Sequence, residues 1–514
     1  MSDAASPRPP HPDRWLAEAL LSALAVTALA GWLLWWRGDL GVEGQWVWSG
    51  QWLLPLAPTQ VLSLVLLAAV TTAVLAWTVT RTPRRRSAWP AVLLMVVMAG
   101  VLQVAAVRVR PTGLPFVAAS VGSDIATEYF TAAEGISDPG EYVRTYTERM
   151  RGRHHVGTHP PGVVLLYWAA QRLYASPLFP RDAFETALEG LIGGRLADVA
   201  AALADNKALD VRITAANIGA AYFCAALFGV CSALVVVPLY ALGAVLLDRQ
   251  AGLLAAALWV PVPSAVLNFQ GPDTLLALLV VVALLLVAMA ARCRSPLWAA
   301  GGGVVLGAAL LVSFGMLAAA LMAGLFLVLC VSRAAGAKRL PANRALLCLL
   351  GLAVAIGVVL AIAQFGLGAD LPVIYRQAMA AHHRFTLAQR PYEVWVGRNL
   401  LEFAVFLGLP LLVTALAGLG ADLRALAQRR DVSPVAALTL SGTAVLLLLD
   451  ATGSVRGEVG RIWLFLMPPL VLAAAASLRL GPDPRQARFG LCLGLTQAQL
   501  VILAVAFVPL ARPY

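Results

Sequence analysis

Apolar stretches long enough to cross a bilayer recur from one end of this chain to the other, and they constrain its fold more than any motif does. Within its 514 residues they lie near 15–36, 59–80, 89–107, 213–246, 252–268, 274–291, 297–312, 316–332, 345–366, 398–418, 434–450, 462–478 and 489–510. Thirteen spans are therefore expected, in an all-α polytopic membrane protein. A composition that is 60% hydrophobic and only 13% charged excludes a soluble globular enzyme.

Arginine and lysine in short connections resist translocation, so their positions orient the spans. Arg81 with Arg84 to Arg86, Arg292 with Arg294, and the basic residues of 333–344, 424–430 and 479–488 all fall on one face if the spans alternate. That face is expected to be cytoplasmic and to hold the N-terminus, which places the chain in the plasma (inner) membrane. The formal charge of +11 is then a topological charge rather than a sign of nucleic-acid binding. The first apolar stretch has no small-residue cleavage site after it and reads as a retained helix. The six cysteines sit in or beside apolar segments without metal-type spacing and read as packing residues.

One connection breaks the rhythm: residues 108–212, expected outside. Helical spacing of apolar positions appears in it at SDIATEYFTAAEGI, EYVRTYTERMRGR and AFETALEGLIGGRLADVAAAL, candidates for amphipathic helices on the membrane surface. GVVLLYWAAQRLYA (162–175) is too short for a span and is expected to dip into the interface. Five of the six histidines fall in just two outer loops, His154, His155 and His159 in this one and His382 and His383 in another.

Asp124 and Glu128 follow the third span. A helix from Asp124 would put both carboxylates on one face. Near a low-dielectric boundary such an acid suits a general base, while Ser123 and Asp124 equally suit a helix N-cap. In HHVGTHPPG, three imidazoles ahead of a stiff Pro-Pro suit a phosphate or a divalent metal, or a locally bonded loop. His382, His383 and Arg384, with Arg390, Tyr392 and Trp395 nearby, suit an anionic ligand beside aromatic rings, or an interfacial belt. Arg456, Glu458 and Arg461 form either an ion-pair cluster or a phosphate grip. Asn268 and Gln270 are weaker cavity-lining candidates, and Asp273 is expected to cap the sixth span.

At these residues the chain resembles the membrane glycosyltransferases of the GT-C superfamily, in particular the bacterial protein-mannosyltransferase and aminoarabinose-transferase-like branch. That branch has an acid at the start of its first large external loop, a basic residue with Pro-Pro farther on, and Pro-Asp opening a later span. Asp124, His159-Pro160-Pro161 and Pro272-Asp273 match. The resemblance covers roughly 89–480, including loop 108–212; two further helices (1–88) precede it and one (481–514) follows.

The resemblance implies a hexosyl- or pentosyltransferase that takes a polyprenyl-phosphate sugar and inverts the anomeric carbon on the outer face. It implies Asp124 as base, or Glu128 in its place, and the outer His and Arg residues as partners of the phosphate. The acceptor, a glycan, lipid or protein, stays open. The rival reading is a transporter or flippase of lipid-linked saccharides, which would want polar residues at mid-membrane; the spans read as almost uniformly apolar at their centres. An intramembrane metalloprotease would want His-Glu-x-x-His, which is absent.

Overall fold

The computed structural model describes residues 58–506 apart from 83–86, 110–112, 125, 206–209, 333–339, 429–430, 432 and 479–483, and ahead of them 19–29, 32, 39–42 and 46–49. The arginine-rich stretches at 84–86 and 333–339, part of the first expected span and the chain beyond 506 lie outside the described residues. The protein is a multi-pass helical membrane protein. One short antiparallel hairpin, Asp39–Val42 with Trp46–Ser49, supplies the strands among the described residues.

Eight helices are long and apolar enough to cross a bilayer: Pro58–Arg81, Trp89–Arg108, Ile218–Leu246, Asp273–Cys293, Phe314–Val331, Ala342–Gly366, Pro434–Thr452 and Arg488–Val505. A ninth is broken, Tyr392–Leu407 and Leu409–Arg424 meeting at 106°. The expected count of thirteen is not reached among the described residues, and the breaks have identifiable causes. The stretch 252–268 divides into Arg249–Trp259 and Pro263–Leu267 because Pro263 lacks an N–H and opens a new first turn. The stretch 462–478 gives Val459–Ile462, Leu464–Leu466 and Met467–Ser477, with prolines in the last helix's first turn. Pro296–Leu310 has 15 residues, about 22 Å of helix against a hydrocarbon core of about 30 Å.

The broken ninth helix turns at Gly408, whose φ of +103° only glycine adopts without strain. The break strands a carbonyl and an N–H inside the bundle, where no water reaches them. Gln499, on the helix Pro484–Ala506, takes both: its Nε2 donates to Val405 O at 3.0 Å and its Oε1 accepts from Leu409 N at 2.8 Å.

Among the described residues the long connection folds as seven short α-helices and one 3-10 turn, the helices including Gly113–Gly122, Tyr129–Glu134, Gly162–Tyr174, Arg181–Ile192 and Leu196–Ala204. Its two ends are tied together, Arg212 N to Gly122 O at 3.0 Å and Asp124 N to Asp210 O at 3.3 Å. The segment 162–175 forms the expected single short helix, packed on Tyr129–Glu134 and Ile218–Leu234. Its first residue, Gly162, donates its N–H to Leu311 O at 3.0 Å, and a Cβ there would stand 2.2 Å from that oxygen, so the Pro-Pro-Gly of the histidine loop locks onto the end of Pro296–Leu310.

The expected helix from Asp124 does not form. Ser123 Oγ accepts from Ala126 N at 3.2 Å and closes a turn, and the helix begins only at Tyr129 because Glu128 is left-handed (φ +56°). The two carboxylates therefore do not share a helical face. Nor are the spans uniformly apolar: Gln103, Asn399, Glu402, Asp450, Gln497 and Gln499 are buried within them.

Candidate functional site

The histidine loop is built around Glu128. Its Oε2 accepts from the N–H groups of His155 (3.0 Å) and Val156 (3.3 Å), which start the single 3-10 turn Val156–Thr158. On the other side the Tyr146 hydroxyl lies 2.9 Å from Val156 O and 2.7 Å from His159 O. Glu128 thus supports the loop rather than facing a substrate with both oxygens.

His159 is held by one ring nitrogen. Its Nδ1 lies 3.2 Å from His155 O, 2.9 Å from Thr158 Oγ1 and 3.1 Å from the Tyr129 hydroxyl. A carbonyl can only accept, and the Thr158 proton already goes to His155 O at 2.8 Å, so this network assigns the ring proton to Nδ1. Nε2 keeps its lone pair and is the basic end of the ring. Withdrawal from water holds the imidazole below its ordinary value, more than the His155 carbonyl and Asp273 restore. Because the folded protein prefers neutral His159, the unfolded chain takes up a proton first as pH falls through about 6.5. The thermal midpoint is therefore expected to drop between pH 6.5 and 5, and a His159→Gln variant to show a flatter profile in a pH series of melts; equal slopes would refute the assignment.

The second half of the site is an alternating chain of charges. Asp273 Oδ2 meets Arg461 Nη1 at 2.9 Å, Arg461 Nη2 meets Glu458 Oε2 at 2.8 Å, and Glu458 Oε1 meets Arg390 Nη2 at 3.3 Å. Withdrawal from water would lift the Glu458 carboxyl, but Arg461 and Arg390 outweigh it and hold it below the usual carboxylate range. Asp273 was expected as a helix cap. It is instead the first residue of Asp273–Cys293 with no capping bond, because its carboxylate is spent on Arg461.

Two buried residues missing from the sequence-based set fix the backbone beneath this chain. Asn399 Nδ2 donates to Val455 O at 2.8 Å and its Oδ1 accepts from Gly457 N at 2.9 Å. Glu402 Oε1 accepts from Gly460 N at 3.1 Å, and the Ser264 hydroxyl donates to Gly460 O. Polar residues three apart, Asn399 and Glu402, inside a stretch long enough to cross the membrane were the signal that could have found them. Tyr129 is the third missed residue.

The two halves adjoin. His159 is within electrostatic reach of Asp273, Arg461 and His382, Tyr129 of Arg461, Asp273, Glu458 and Glu128, and Glu458 of His155. His154 packs on Phe385 with ring centres 4.6 Å apart and feels Glu128, Glu458 and Arg390. Segments 128–159, 268–273, 382–395 and 454–461 thus converge on one polar cluster. Two of the four non-glycine residues with positive φ among the described residues, Glu128 and Glu458, lie in it, the kind of strain that accumulates at working sites.

The remaining candidates stand at its edges. Asp124 binds Arg212 Nε at 2.9 Å through one oxygen and the Thr131 hydroxyl through the other. His382 Nε2 lies 2.7 Å from Ser454 O, while His383 and Arg384 are exposed, the guanidinium of Arg384 lying 4.7 Å from the Phe385 ring centre. Arg456 is spent on main-chain carbonyls, with Leu387 O at 2.9 Å and Gly453 O at 3.1 Å, and on Arg390 O, so it closes the loop and offers no phosphate fork. Trp395 is buried under Gly457 and Arg390 rather than forming an aromatic surface, and Tyr392 binds Ala451 O at 2.8 Å. Asn268 is buried, and the side-chain carbonyl of Gln270 is buried without a partner among the described residues.

No group of three His, Cys, Asp or Glu side chains among the described residues is arranged to hold a metal ion. Both oxygens of Asp124 and of Glu458, Oε2 of Glu128 and Oδ2 of Asp273 are engaged by arginines, a hydroxyl or backbone N–H groups.

No family model and no curated protein matches the sequence. Solved structures overlap it at low similarity. The archaeal oligosaccharyltransferase AglB of Archaeoglobus fulgidus, in complex with an inhibitory peptide and a dolichol-phosphate, is 12% identical with a TM-score of 0.42 over 81% of this chain and 56% of its own. The same organism's enzyme in the apo form gives 13% and 0.42 over 82% and 56%, and in complex with Zn and sulfate 15% and 0.39 over 80% and 53%. The chain spans just over half the length of those structures, and at such scores its function has to be argued from its own residues.

Proposed function

We propose that this protein is a GT-C-type membrane glycosyltransferase that moves a sugar from a polyprenyl-phosphate donor to an envelope acceptor at the outer face of the plasma membrane. The observation that carries the reading is the convergence of four loop segments, far apart in sequence, on one cluster of arginines, carboxylates and histidines at the ends of apolar helices. Such a cluster suits a ligand with an anionic head and a lipid tail. Guanidinium groups bind phosphate oxygens bidentately, and the tail is accommodated among helices.

In the reaction an acceptor hydroxyl attacks the anomeric carbon from the side opposite the lipid phosphate. The bond from carbon to phosphate oxygen breaks with its electron pair left on that oxygen, and the hydroxyl proton passes to a base, so configuration inverts. Arg461 and Arg390 face the charge that grows on the leaving phosphate. Asp124 is the base implied by the family resemblance, and the Nε2 lone pair of His159 offers a second one within reach of Asp273 and Arg461.

The test is release of free polyprenyl phosphate from a panel of polyprenyl-phosphate sugars by the detergent-purified protein, with envelope extract as acceptor. The wild type is expected to release the lipid phosphate, and the Asp124→Asn variant to be slower by roughly 10²–10⁴-fold, the usual worth of a general base. If His159→Gln shows that loss and Asp124→Asn does not, His159 is the base. No release from any donor, with lipid movement across vesicles instead, would replace the enzyme by a flippase. Of the buried polar residues of the spans, Asn399, Glu402 and Gln499 hold backbone groups rather than lining a path, while Gln497 and one oxygen of Asp450 have no partner among the described residues.

A further inference from the structure

Glu458 occupies the place a bound anion would take. Its two oxygens divide between Arg461 Nη2 at 2.8 Å and Arg390 Nη2 at 3.3 Å, the donors that a pair of phosphate oxygens would meet. The loop does not depend on that carboxylate for its course. Arg456, Asn399 and Glu402 already hold the backbone of 453–460. The residue sits at φ +59°, which costs a residue with a Cβ, and its side chain is 48% exposed, so an incoming headgroup can reach it. Arg461 would stay anchored on Asp273 at 2.9 Å if Glu458 let go.

We propose that Glu458 is an internal placeholder for a phosphate headgroup, its carboxylate keeping Arg390 and Arg461 aligned and neutralised until a phosphate displaces it. The identity of the head as a lipid phosphate rests on the glycosyltransferase reading above. A displacing ligand must outbid a monoanion for two guanidinium groups. A sugar-loaded phosphodiester also carries one negative charge and gains little by the exchange. The phosphate left when the sugar departs carries close to two, so the seat favours the charge that develops during transfer over the charge present before it. Displacing Glu458 costs every headgroup the same, so the placeholder weakens all of them alike, and the preference for a dianion belongs to Arg390 and Arg461 themselves.

The experiment is equilibrium binding of farnesyl phosphate and of its monoanionic methyl ester to the full detergent-purified chain at pH 7.5, with inorganic phosphate and farnesol as further arms. Wild type is expected to prefer the dianion. Glu458→Gln should tighten both lipids by the same factor, roughly five- to tenfold, and leave the preference for the dianion in place. Glu458→Gly, which also relieves the positive φ, should do the same even if glutamine strains the loop. A gain shared by inorganic phosphate would show a seat for any phosphate; a gain confined to farnesyl phosphate would show a lipid headgroup, and either supports the placeholder. Affinity unchanged or weaker in both variants, binding by none of the three proteins, or an equal gain for farnesol would overturn it. Binding is read without sugar transfer, so failure of the release assay and failure of this one are separate results.

Discussion

Replacing Gln499 with leucine is expected to destabilise the protein by about 2–5 kcal/mol, because the Val405 carbonyl and the Leu409 N–H would both lose their partner at a site without water. Gln497, two residues away on the same helix, should behave in the opposite way. It is 2% exposed and neither end of its amide has a partner among the described residues, so leucine there should be neutral or stabilising. Thermal unfolding of the two variants in the same detergent decides the matter. Equal midpoints would mean that Gln499 does not sew the break at Gly408. The Gln499→Leu variant should also lose activity beyond its loss of folded protein, since the first arm of the bent pair carries Asn399 and Glu402 to the site loop.

The second large effect is expected at Arg461. Leucine there leaves the Asp273 carboxylate, 14% exposed, and one oxygen of Glu458 without a cation. Losing one partner of a fully buried pair costs about 3–5 kcal/mol; the partial exposure of Arg461 and Glu458 reduces the expectation to about 2–3 kcal/mol. Adding Asp273→Asn should return part of that stability, and a double-mutant cycle by chemical denaturation measures how much. Lysine keeps the charge but lacks the planar fork that reaches two carboxylates at once, so Arg461→Lys should retain stability better than activity. If leucine and lysine variants melt together with the wild type, the charge chain carries neither role.

The positions of the apolar helices were readable from length and hydropathy alone, and so was the gathering of titratable residues into a few loops. The breaks were less so. Pro263, Pro410 and Pro468 could be read as interruptions, yet nothing local shows that the turn at Gly408 is closed by Gln499, 90 residues beyond Leu409. Local spacing likewise suggested that Asp124 and Glu128 share a helix face; the bonds from Glu128 to His155 and Val156 override it, and a pattern four residues long holds no information about a partner 27 residues away. Arg456 and Arg461 looked alike in sequence. Only the carbonyls around the first and the carboxylates around the second separate a loop fastener from a charge relay.

The seam between Gln499 and the kink also dictates an order of assembly. The bent pair is synthesised 90 residues before the glutamine that satisfies it, a delay of roughly 5–20 s at ordinary ribosome speeds. During that interval the turn lacks the side chain that satisfies the Val405 carbonyl and the Leu409 N–H. The arm that carries Asn399 and Glu402 to the loop 453–460 is thus sealed in place by a helix made later. Nascent chains stalled before that helix emerges are expected to be membrane-integrated with this seam still open, and so more readily cleaved by protease near Gly408 than the full chain.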